Sequence, residues 1–280
     1  MLWKLTFPFG RNSSLRYRVM AIFLNIVSPK YILDVNWIMK YHTLFYVWCK
    51  KSRNSKYVVV QHGIYAAGII TEMSHRFTKC DVMLCWSDYF KEVLSGYNQG
   101  KKTKFYVIGN PVYNQYDRNS FEYKKDIGNK ILIAISPMGG ERLRKLTEFK
   151  NNLESMNFTV NIKEHPLQSS MEKPLTGFNK ITGDLYTILT SDEYDIVMCD
   201  TSTSLLDAIF FKKYVMFFSP ENTTIHYTDN IYSKHLRNFA DEYISINTKQ
   251  DLQSKLNISD QENLFSQLVS PGVNNLNMLN

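Results

Sequence analysis

Short apolar runs recur along this chain and alternate with longer segments of helical length. Each run is rich in Val, Ile, Leu, Met or Cys and is bounded by polar residues, a pattern typical of buried parallel strands. The runs are 57–61, 82–86, 105–109, 130–136, 159–163, 195–199 and 214–218. Because helical stretches such as 142–156 and 204–211 lie between them, the sequence predicts an α/β protein with open parallel sheets.

A polar segment divides the predicted strands into two groups. Residues 113–125 are rich in Asn, Asp and Tyr and lack periodicity, so we expect a hinge between Pro111 and Lys130. The 280 residues have room for two domains of about 140 residues each. We therefore predict two Rossmann-like lobes, 1–113 and 130–280, that face each other across a ligand-binding cleft.

The charge balance favours anionic partners. Lys and Arg total 33 against 26 Asp and Glu, and the net charge of +7 suits nucleotides, phospholipid headgroups or acidic glycans. The basic residues are scattered instead of forming one stretch interleaved with aromatics. We therefore expect no nucleic-acid partner.

Cysteine usage and hydropathy indicate a reducing compartment. The four cysteines have neither zinc-site spacing nor the density of a disulfide framework. No run reaches the roughly 18 to 20 apolar residues of a membrane span, and no signal-peptide core is present, so we expect a cytoplasmic protein. Two interpretations of the apolar and basic residues 2–18 stay open: a contact with the cytoplasmic face of the inner membrane, or an ordinary first strand and helix.

The first candidate site lies where an apolar strand ends in Gln61, His62 and Gly63. A residue at the carboxyl end of a buried strand is presented at the mouth of the sheet, and glycine after it permits close approach of a substrate. A histidine, whose ordinary pKa is about 6.5, can accept a proton from an acceptor hydroxyl at neutral pH. Packing at the strand end is the competing interpretation.

The second candidate site follows the predicted strand 159–163. Lys163 and His165 lie two residues apart and share one side of the chain if the strand stays extended. Pro166 biases His165 towards an extended conformation. Lys163 and His165 can then hold a diphosphate and protonate its leaving oxygen, although a surface turn after an edge strand is the alternative.

The third candidate site is a hydroxyl-rich turn between a predicted strand and a predicted helix. Ser202 or Thr203 can cap the helix, and their hydroxyls, that of Ser204 and the free backbone N–H groups can bind phosphate oxygens. Asp207, one helical turn further, can reach a ribose hydroxyl. Simple capping without a ligand explains the same pattern.

A weaker signal is the pair Gly139 and Gly140, in the turn before the predicted helix 142–156. Two glycines there allow the backbone to approach a phosphate, but they also suit an ordinary tight connection.

Several common catalytic motifs are absent. The sequence has no Gly-Lys-Ser/Thr loop, no GxGxxG and no HExxH, which disfavours P-loop hydrolysis, a dinucleotide dehydrogenase and a zinc protease. The acidic cluster Asp192, Glu193 and Asp195 precedes a strand, whereas a metal-bridged diphosphate site needs carboxylates at the carboxyl end of the strand. We therefore expect no obligatory metal and no cofactor.

Five motifs follow one another between residues 57 and 218. They are Gln61-His62-Gly63, Cys85-Trp86-Ser87-Asp88-Tyr89-Phe90, Val107-Ile108-Gly109-Asn110-Pro111, Lys163-Glu164-His165-Pro166 and Asp200-Thr201-Ser202-Thr203. This succession resembles bacterial GT-B-type transferases of surface polysaccharides. Three families are similar: the CDP-glycerol glycerophosphotransferases of teichoic acid synthesis, the Kdo transferases of capsule assembly, and the bacterial sialyltransferases with an HP motif and a serine pair.

The resemblance implies an inverting, metal-independent transfer from a nucleotide-activated, CMP-linked donor to a glycan or lipid-linked acceptor. In these families the C-terminal half holds the donor, and His165 and the Ser202–Thr203 turn match the positions that bind its phosphate. His62 matches the base of the glycerophosphotransferases, but an acidic residue has that role in the sialyltransferases, which leaves Glu72 as a rival.

Two features depart from the families' pattern. Ser-Thr replaces the serine pair, and the strand that leads to His62 begins at residue 57, earlier than usual. The acceptor-side domain is therefore expected to be trimmed.

The expected function is a glycosyltransferase of capsule, O-antigen or similar polysaccharide synthesis. A CDP-polyol phosphotransferase needs the same phosphate-binding parts, and a non-catalytic nucleotide-sugar-binding protein can retain the same fold. A sugar-nucleotide epimerase is disfavoured, because it needs several carboxylates and an arginine around the sugar and the sequence does not group such a set.

Overall fold

The computed structural model describes residues 15–35, 42–52, 54–61, 63, 79–97, 102–136, 140–165, 175–200, 202–219, 231–242 and 245–270. These residues form two compact units. The first contains the described residues up to Pro111, apart from Gly63, and those from Leu268 onward. The second contains Gly63 and Val112–Gln267. No helix in the described ranges is long and apolar enough to cross a membrane.

The first unit is built on a four-stranded parallel sheet in the order β1-β2-β3-β4. Its strands are β1 (Tyr31–Asp34), β2 (Lys56–Val60), β3 (Val82–Cys85) and β4 (Lys104–Val107). Its helices are α1 (Leu15–Val27), α2 (His42–Ser52) and α3 (Asp88–Tyr97). Val58, Val59 and Cys85 are fully buried, as expected for central strands covered on both faces.

The second unit contains a five-stranded parallel sheet in the order β7-β6-β5-β8-β9. Its strands are β5 (Lys130–Ile133), β6 (Thr159–Lys163), β7 (Asn179–Ile181), β8 (Ile196–Cys199) and β9 (Tyr214–Phe217). Its helices are α4 (Gly140–Ser155), α5 (Leu185–Thr190), α6 (Thr203–Phe210), α7 (Ile231–His235), α8 (Phe239–Glu242), α9 (Lys249–Lys255) and α10 (Ile258–Leu268). The strand order reverses between β5 and β8, which is the topological switch point of this sheet.

Apolar side chains hold the second sheet to its helices. Ile131, Ile133 and Met198 are completely buried within one hydrophobic cluster. Phe149 of α4 stacks on Phe218, with ring centroids 5.7 Å apart. Burial of a side chain of this size stabilises the fold by about 1.5–3 kcal/mol. The ends of β5 and β8 are therefore fixed by packing.

The polar segment at residues 113–125, where a hinge is predicted, packs on the second unit. The Tyr113 ring stacks on Phe210 at 4.2 Å between centroids. Arg118 forms a 2.8 Å ion pair with Glu262 and lies over the ring of Phe265. These contacts explain why the second unit begins at Val112.

The predicted α/β class with parallel sheets is confirmed, because every apolar run that predicts a strand overlaps one. The structure adds two edge strands, β1 and β7, that the sequence analysis did not predict. Both have exposed positions, and β7 spans only three residues, so neither shows a long apolar run.

Candidate functional site

Polar side chains gather at the carboxyl ends of β5 and β8 in the second unit. The backbone of Ala134 lies beside Met198 and extends the pairing of these strands, and Asp200 follows directly after β8. Ligands of open α/β sheets bind at this position because the loops diverge where the strand order reverses. The switch point therefore defines the candidate site.

Ser202 and Ser204 of the hydroxyl-rich turn lie at the switch point. Ser202 is the N-cap residue of α6, but its side chain makes no capping hydrogen bond. Its hydroxyl instead contacts the hydroxyl of Ser204, which donates a 2.7 Å hydrogen bond to the carbonyl of Ala134. The first turn of α6 is thus tied to the end of β5, and the serine pair lies beside the positive end of the helix dipole.

A charged pair that the sequence analysis did not single out lies at the same edge. The Oδ2 atom of Asp200 accepts a 3.0 Å hydrogen bond from the backbone N–H of Ser136 and a 3.3 Å hydrogen bond from Nη2 of Arg142. Only 5% of the Asp200 side chain is exposed, against 22% of the Arg142 side chain. The available signals were an aspartate directly after the apolar strand β8 and an arginine in the first turn of α4, the helix that follows β5.

His165 and Lys163 lie at the end of the neighbouring strand. Lys163 is the last residue of β6 and pairs in register with Ile181 of β7. His165 follows two residues later and is half-buried. Between them, Glu164 forms a 2.8 Å ion pair with Lys180. Because β6 lies next to β5, these residues belong to the same carboxyl edge as Ser202 and Asp200.

Two glycines of the predicted site have informative geometry. Gly140, the first residue of α4, has a φ of +56°, which L side chains rarely adopt, and a Cβ there would meet open space. A Cβ on Gly63 would lie 3.3 Å from the hydroxyl oxygen of Thr203. Gly63 thus lies close to the first turn of α6, within the second unit.

Asp207 is embedded in helix packing. Its Oδ1 atom accepts hydrogen bonds from the hydroxyls of Tyr113 (2.9 Å) and Tyr186 (3.1 Å). Burial raises the pKa of its carboxyl to about 7, although both tyrosines favour the charged form. The predicted ribose contact stays a prediction, and the structure gives Asp207 the additional role of joining α6 to the segment at Tyr113.

In the first unit, Gln61 is almost completely buried. Its Oε1 atom accepts a 2.8 Å hydrogen bond from the backbone N–H of Trp86. This bond connects the carboxyl ends of β2 and β3, so Gln61 shapes the end of the strand that leads to the candidate base.

A buried polar cluster in the same unit was missed from the sequence. The Tyr57 hydroxyl donates a 2.6 Å hydrogen bond to Asp34 and contacts Nδ1 of His42 at 2.8 Å. Burial lowers the pKa of His42.

The remaining predicted residues His62, Glu72, Gly139 and Pro166 lie outside the described residues. Their roles stay predictions. Among the residues that the structure describes, no group of three His, Cys, Asp or Glu side chains is placed to hold a metal ion.

The described arrangement can bind an anion. Hydroxyls of the serine pair, the start of α6 and the guanidinium of Arg142 share one sheet edge with His165. Hydroxyls, amides at a helix start and a guanidinium are the groups that bind phosphate oxygens in proteins.

Comparison with known proteins identifies the fold. No protein-family model matches the chain, and no curated protein matches it by sequence. A solved structure of the wall teichoic acid polymerase TagF is 12% identical, with a TM-score of 0.56, over 93% of this chain and 72% of that one. A second structure of that polymerase, soaked with CDPG, is 13% identical with a TM-score of 0.55 over the same shares.

A third solved structure has a similar degree of likeness. It is a putative UDP-N-acetylglucosamine 2-epimerase from Listeria monocytogenes, 13% identical, with a TM-score of 0.55, over 95% of this chain and 78% of that one. At this level of identity the likeness defines the fold alone. The chain has the α/β fold of GT-B-type proteins, with one Rossmann-like sheet in each unit.

Proposed function

We propose that this chain is a glycosyltransferase of bacterial surface-polysaccharide synthesis. It uses a nucleotide-activated, CMP-linked sugar and works with inversion and without a metal. The observation that carries the proposal is the carboxyl edge of the second sheet, where the Ser202–Ser204 hydroxyl pair and the start of α6 lie at the switch point and His165 follows the neighbouring strand β6. In an α/β sheet this combination is suited to the phosphate of a nucleotide.

Each of these groups is proposed to make a different contact with the donor. The N–H groups at the start of α6 and the Ser202 hydroxyl, which is not used for capping, bind phosphate oxygens. His165 hydrogen-bonds or protonates the oxygen that leaves with the nucleotide, and Lys163 adds positive charge at the end of β6. Such groups favour the transition state because negative charge grows on the leaving phosphate.

The acceptor hydroxyl needs a base, for which we propose His62. The residue follows Gln61, which is fixed by its hydrogen bond to Trp86. Glu72 is the rival, since the glycerophosphotransferases that the chain resembles use a histidine to take the proton and the sialyltransferases use an acidic residue.

A CDP-polyol phosphotransferase of the teichoic-acid type is the second candidate. This candidate is supported by the structural likeness to a wall teichoic acid polymerase, one structure of which was soaked with CDPG. A polyol phosphotransferase breaks the diphosphate itself, whereas a glycosyltransferase breaks the sugar–phosphate bond. Products of turnover with each donor therefore separate them, and a non-catalytic binding protein gives no product with either.

We further propose peripheral contact with the cytoplasmic face of the inner membrane, through α1. Six apolar side chains of this helix are strongly exposed: Leu15, Val19, Ile22, Phe23, Ile26 and Val27. Their spacing of three and four residues places most of them on one helix face, and Arg16 lies in the same helix. An exposed apolar face with basic neighbours suits an anionic bilayer surface, where a lipid-linked acceptor would reside.

A nucleotide panel tests the proposed function. The melting temperature is measured with CMP, CDP, UDP and GDP, because a ligand that binds the folded state raises it. We expect the cytidine nucleotides to give the largest shift. We also expect His165→Ala to lose most of that shift, whereas His235→Ala, which removes a half-buried histidine of α7, retains it. Equal shifts in both variants, or no shift in the wild type, would contradict the proposal.

A further inference from the structure

The ion pair between Arg142 and Asp200 is unexpected at an anion-binding edge. A buried carboxylate next to a phosphate site repels the ligand unless a cation lies between them. Asp200 is 4% exposed, and it follows directly after β8, two residues before Ser202. Such a charge therefore needs an explanation other than helix capping, because Ser202 occupies the N-cap position.

Only one of the two carboxylate oxygens of Asp200 accepts hydrogen bonds from the described residues. Its Oδ2 atom receives both the Ser136 N–H and the Arg142 guanidinium. Its Oδ1 atom is buried and, within the part of the chain that the structure describes, has no hydrogen-bond partner. Buried polar atoms are satisfied in most proteins, and exceptions concentrate at functional sites. The backbone at the end of β5 and the guanidinium of Arg142 therefore share one oxygen of the Asp200 carboxylate.

Arg142 lies in the first turn of α4, close to the end of β5. Its side chain is partly exposed at 22%, unlike the buried carboxylate that it contacts. A guanidinium binds phosphate with a planar set of donors, and an ion pair with a buried carboxylate limits its rotamers before the ligand arrives.

We propose that Arg142 binds the phosphate of the nucleotide donor and that Asp200 positions Arg142, an inference that rests on the proposed function. Asp200 compensates the charge of Arg142 in the absence of ligand and fixes the direction of its guanidinium. The ligand class is a nucleoside mono- or diphosphate, recognised through its phosphate group.

The test compares two arginines of one helix. Affinities for cytidine, CMP and CDP are measured by calorimetry for the wild type, Arg142→Ala and Arg144→Ala. Arg144 is a matched control because it lies two residues along α4, is more than half exposed, and pairs with Glu141 and Glu148 instead of the sheet edge. Both variants remove one positive charge from the same helix.

We expect Arg142→Ala to weaken CDP binding about ten- to hundredfold, the range for hydrogen bonds to a charged group, and to leave cytidine binding unchanged. Arg144→Ala should change neither affinity by more than about twofold. Equal CDP affinities in the two variants would overturn the proposal. A parallel loss for cytidine and CDP in Arg142→Ala would also overturn it, because that pattern indicates a purely structural role.

A double-mutant cycle tests the positioning role of Asp200. Asp200→Asn keeps the acceptor for the Ser136 N–H, removes the charge, and should weaken CDP binding but not cytidine binding. In the Arg142→Ala background it should have no further effect, because Asp200 acts through Arg142. An additive loss would overturn the positioning role. The double variant also leaves no uncompensated buried charge, so it gives the arginine result even if Arg142→Ala alone does not fold.

The outcome for the wild type separates this inference from the proposed function. If no nucleotide binds the wild-type protein, both fail. If the wild type binds CDP and His165→Ala weakens it while Arg142→Ala does not, the proposed function stands and only the role of Arg142 falls.

Discussion

At the scale of single residues, Asp207 shows what sequence reasoning can miss. Its position one turn into the helix after the hydroxyl-rich turn predicts a ribose contact. The structure places its carboxylate against the hydroxyls of Tyr113 and Tyr186, which are 94 and 21 positions away in the chain. Contacts at such separation depend on how the elements pack, and periodicity does not report them.

Asp207 should make stability depend on pH. Burial raises its folded-state pKa to about 7, above the ordinary value of 3.8. The folded state therefore binds the proton more tightly, and this contribution to stability is present at low pH and lost as pH rises from about 4 to about 7. Asp207→Asn keeps an acceptor for both tyrosines without the charge, and should be more stable than the wild type at pH 8 by about 1–4 kcal/mol.

Chemical denaturation at several pH values measures this difference. The advantage of Asp207→Asn should shrink as pH falls towards 4. His42 has the opposite effect, because its lowered pKa removes stability as pH falls below about 6.5. Since His42 is present in both proteins, its contribution cancels in the difference. A constant difference from pH 4 to pH 8 would show that Asp207 does not titrate as described.

The identity of the base is the second question at this scale. If His62 takes the proton, His62→Ala should lose about two to four orders of magnitude in turnover, the size expected for general base catalysis, and retain donor affinity. Glu72→Gln is measured alongside it. Near-normal turnover of folded His62→Ala removes His62 from the role, and a collapse confined to Glu72→Gln transfers it to Glu72.

At the scale of elements, the central strands and the edge strands β4 and β9 could be predicted, whereas the edge strands β1 and β7 could not. β5 and β8 present runs of buried side chains because helices cover both faces of the sheet. β1 and β7 lie at sheet edges, where exposed residues such as Leu33 and Lys180 break that pattern. Helix α6 could also be placed, because a hydroxyl-rich turn precedes an apolar helical stretch.

A prediction about a single element concerns the binding of helix α1 to membranes. Replacing Phe23 and Ile26 by Ser should reduce binding to phosphatidylglycerol vesicles at least about tenfold, because each buried apolar side chain contributes about 1.5–3 kcal/mol. Both side chains are more than half exposed, so the fold should be unaffected. Co-sedimentation with the vesicles measures the effect.

The control for this experiment is Leu33→Ser, which replaces an exposed apolar residue of β1 outside the helix. It should bind vesicles like the wild type. If the wild type does not sediment with vesicles, or if the control loses as much binding as the α1 variant, the membrane role of α1 is wrong. If the wild type dimerises and the α1 variant does not, the exposed apolar face of α1 binds a second copy of the chain instead of a membrane.

At the scale of the whole molecule, the candidate site is assembled from distant segments. Asp200 meets Ser136 and Arg142, which precede it by 64 and 58 residues. The sequence predicts the strands that precede Ser136 and Asp200 and the helix that carries Arg142, but not the strand order that makes β5 and β8 neighbours. Sequence reasoning therefore found the hydroxyl-rich turn, which is local, and missed the ion pair, which depends on topology.

The central claim is that the carboxyl edge of the second sheet binds the donor nucleotide. Hydrogen–deuterium exchange, with and without the nucleotide that gives the largest thermal shift, tests it most directly, because bound ligand slows local opening. We expect slower exchange in peptides that cover 134–142 and 200–207, and unchanged exchange in the peptide that covers α1. Slower exchange confined to the first unit, or no change at saturating nucleotide, would contradict it.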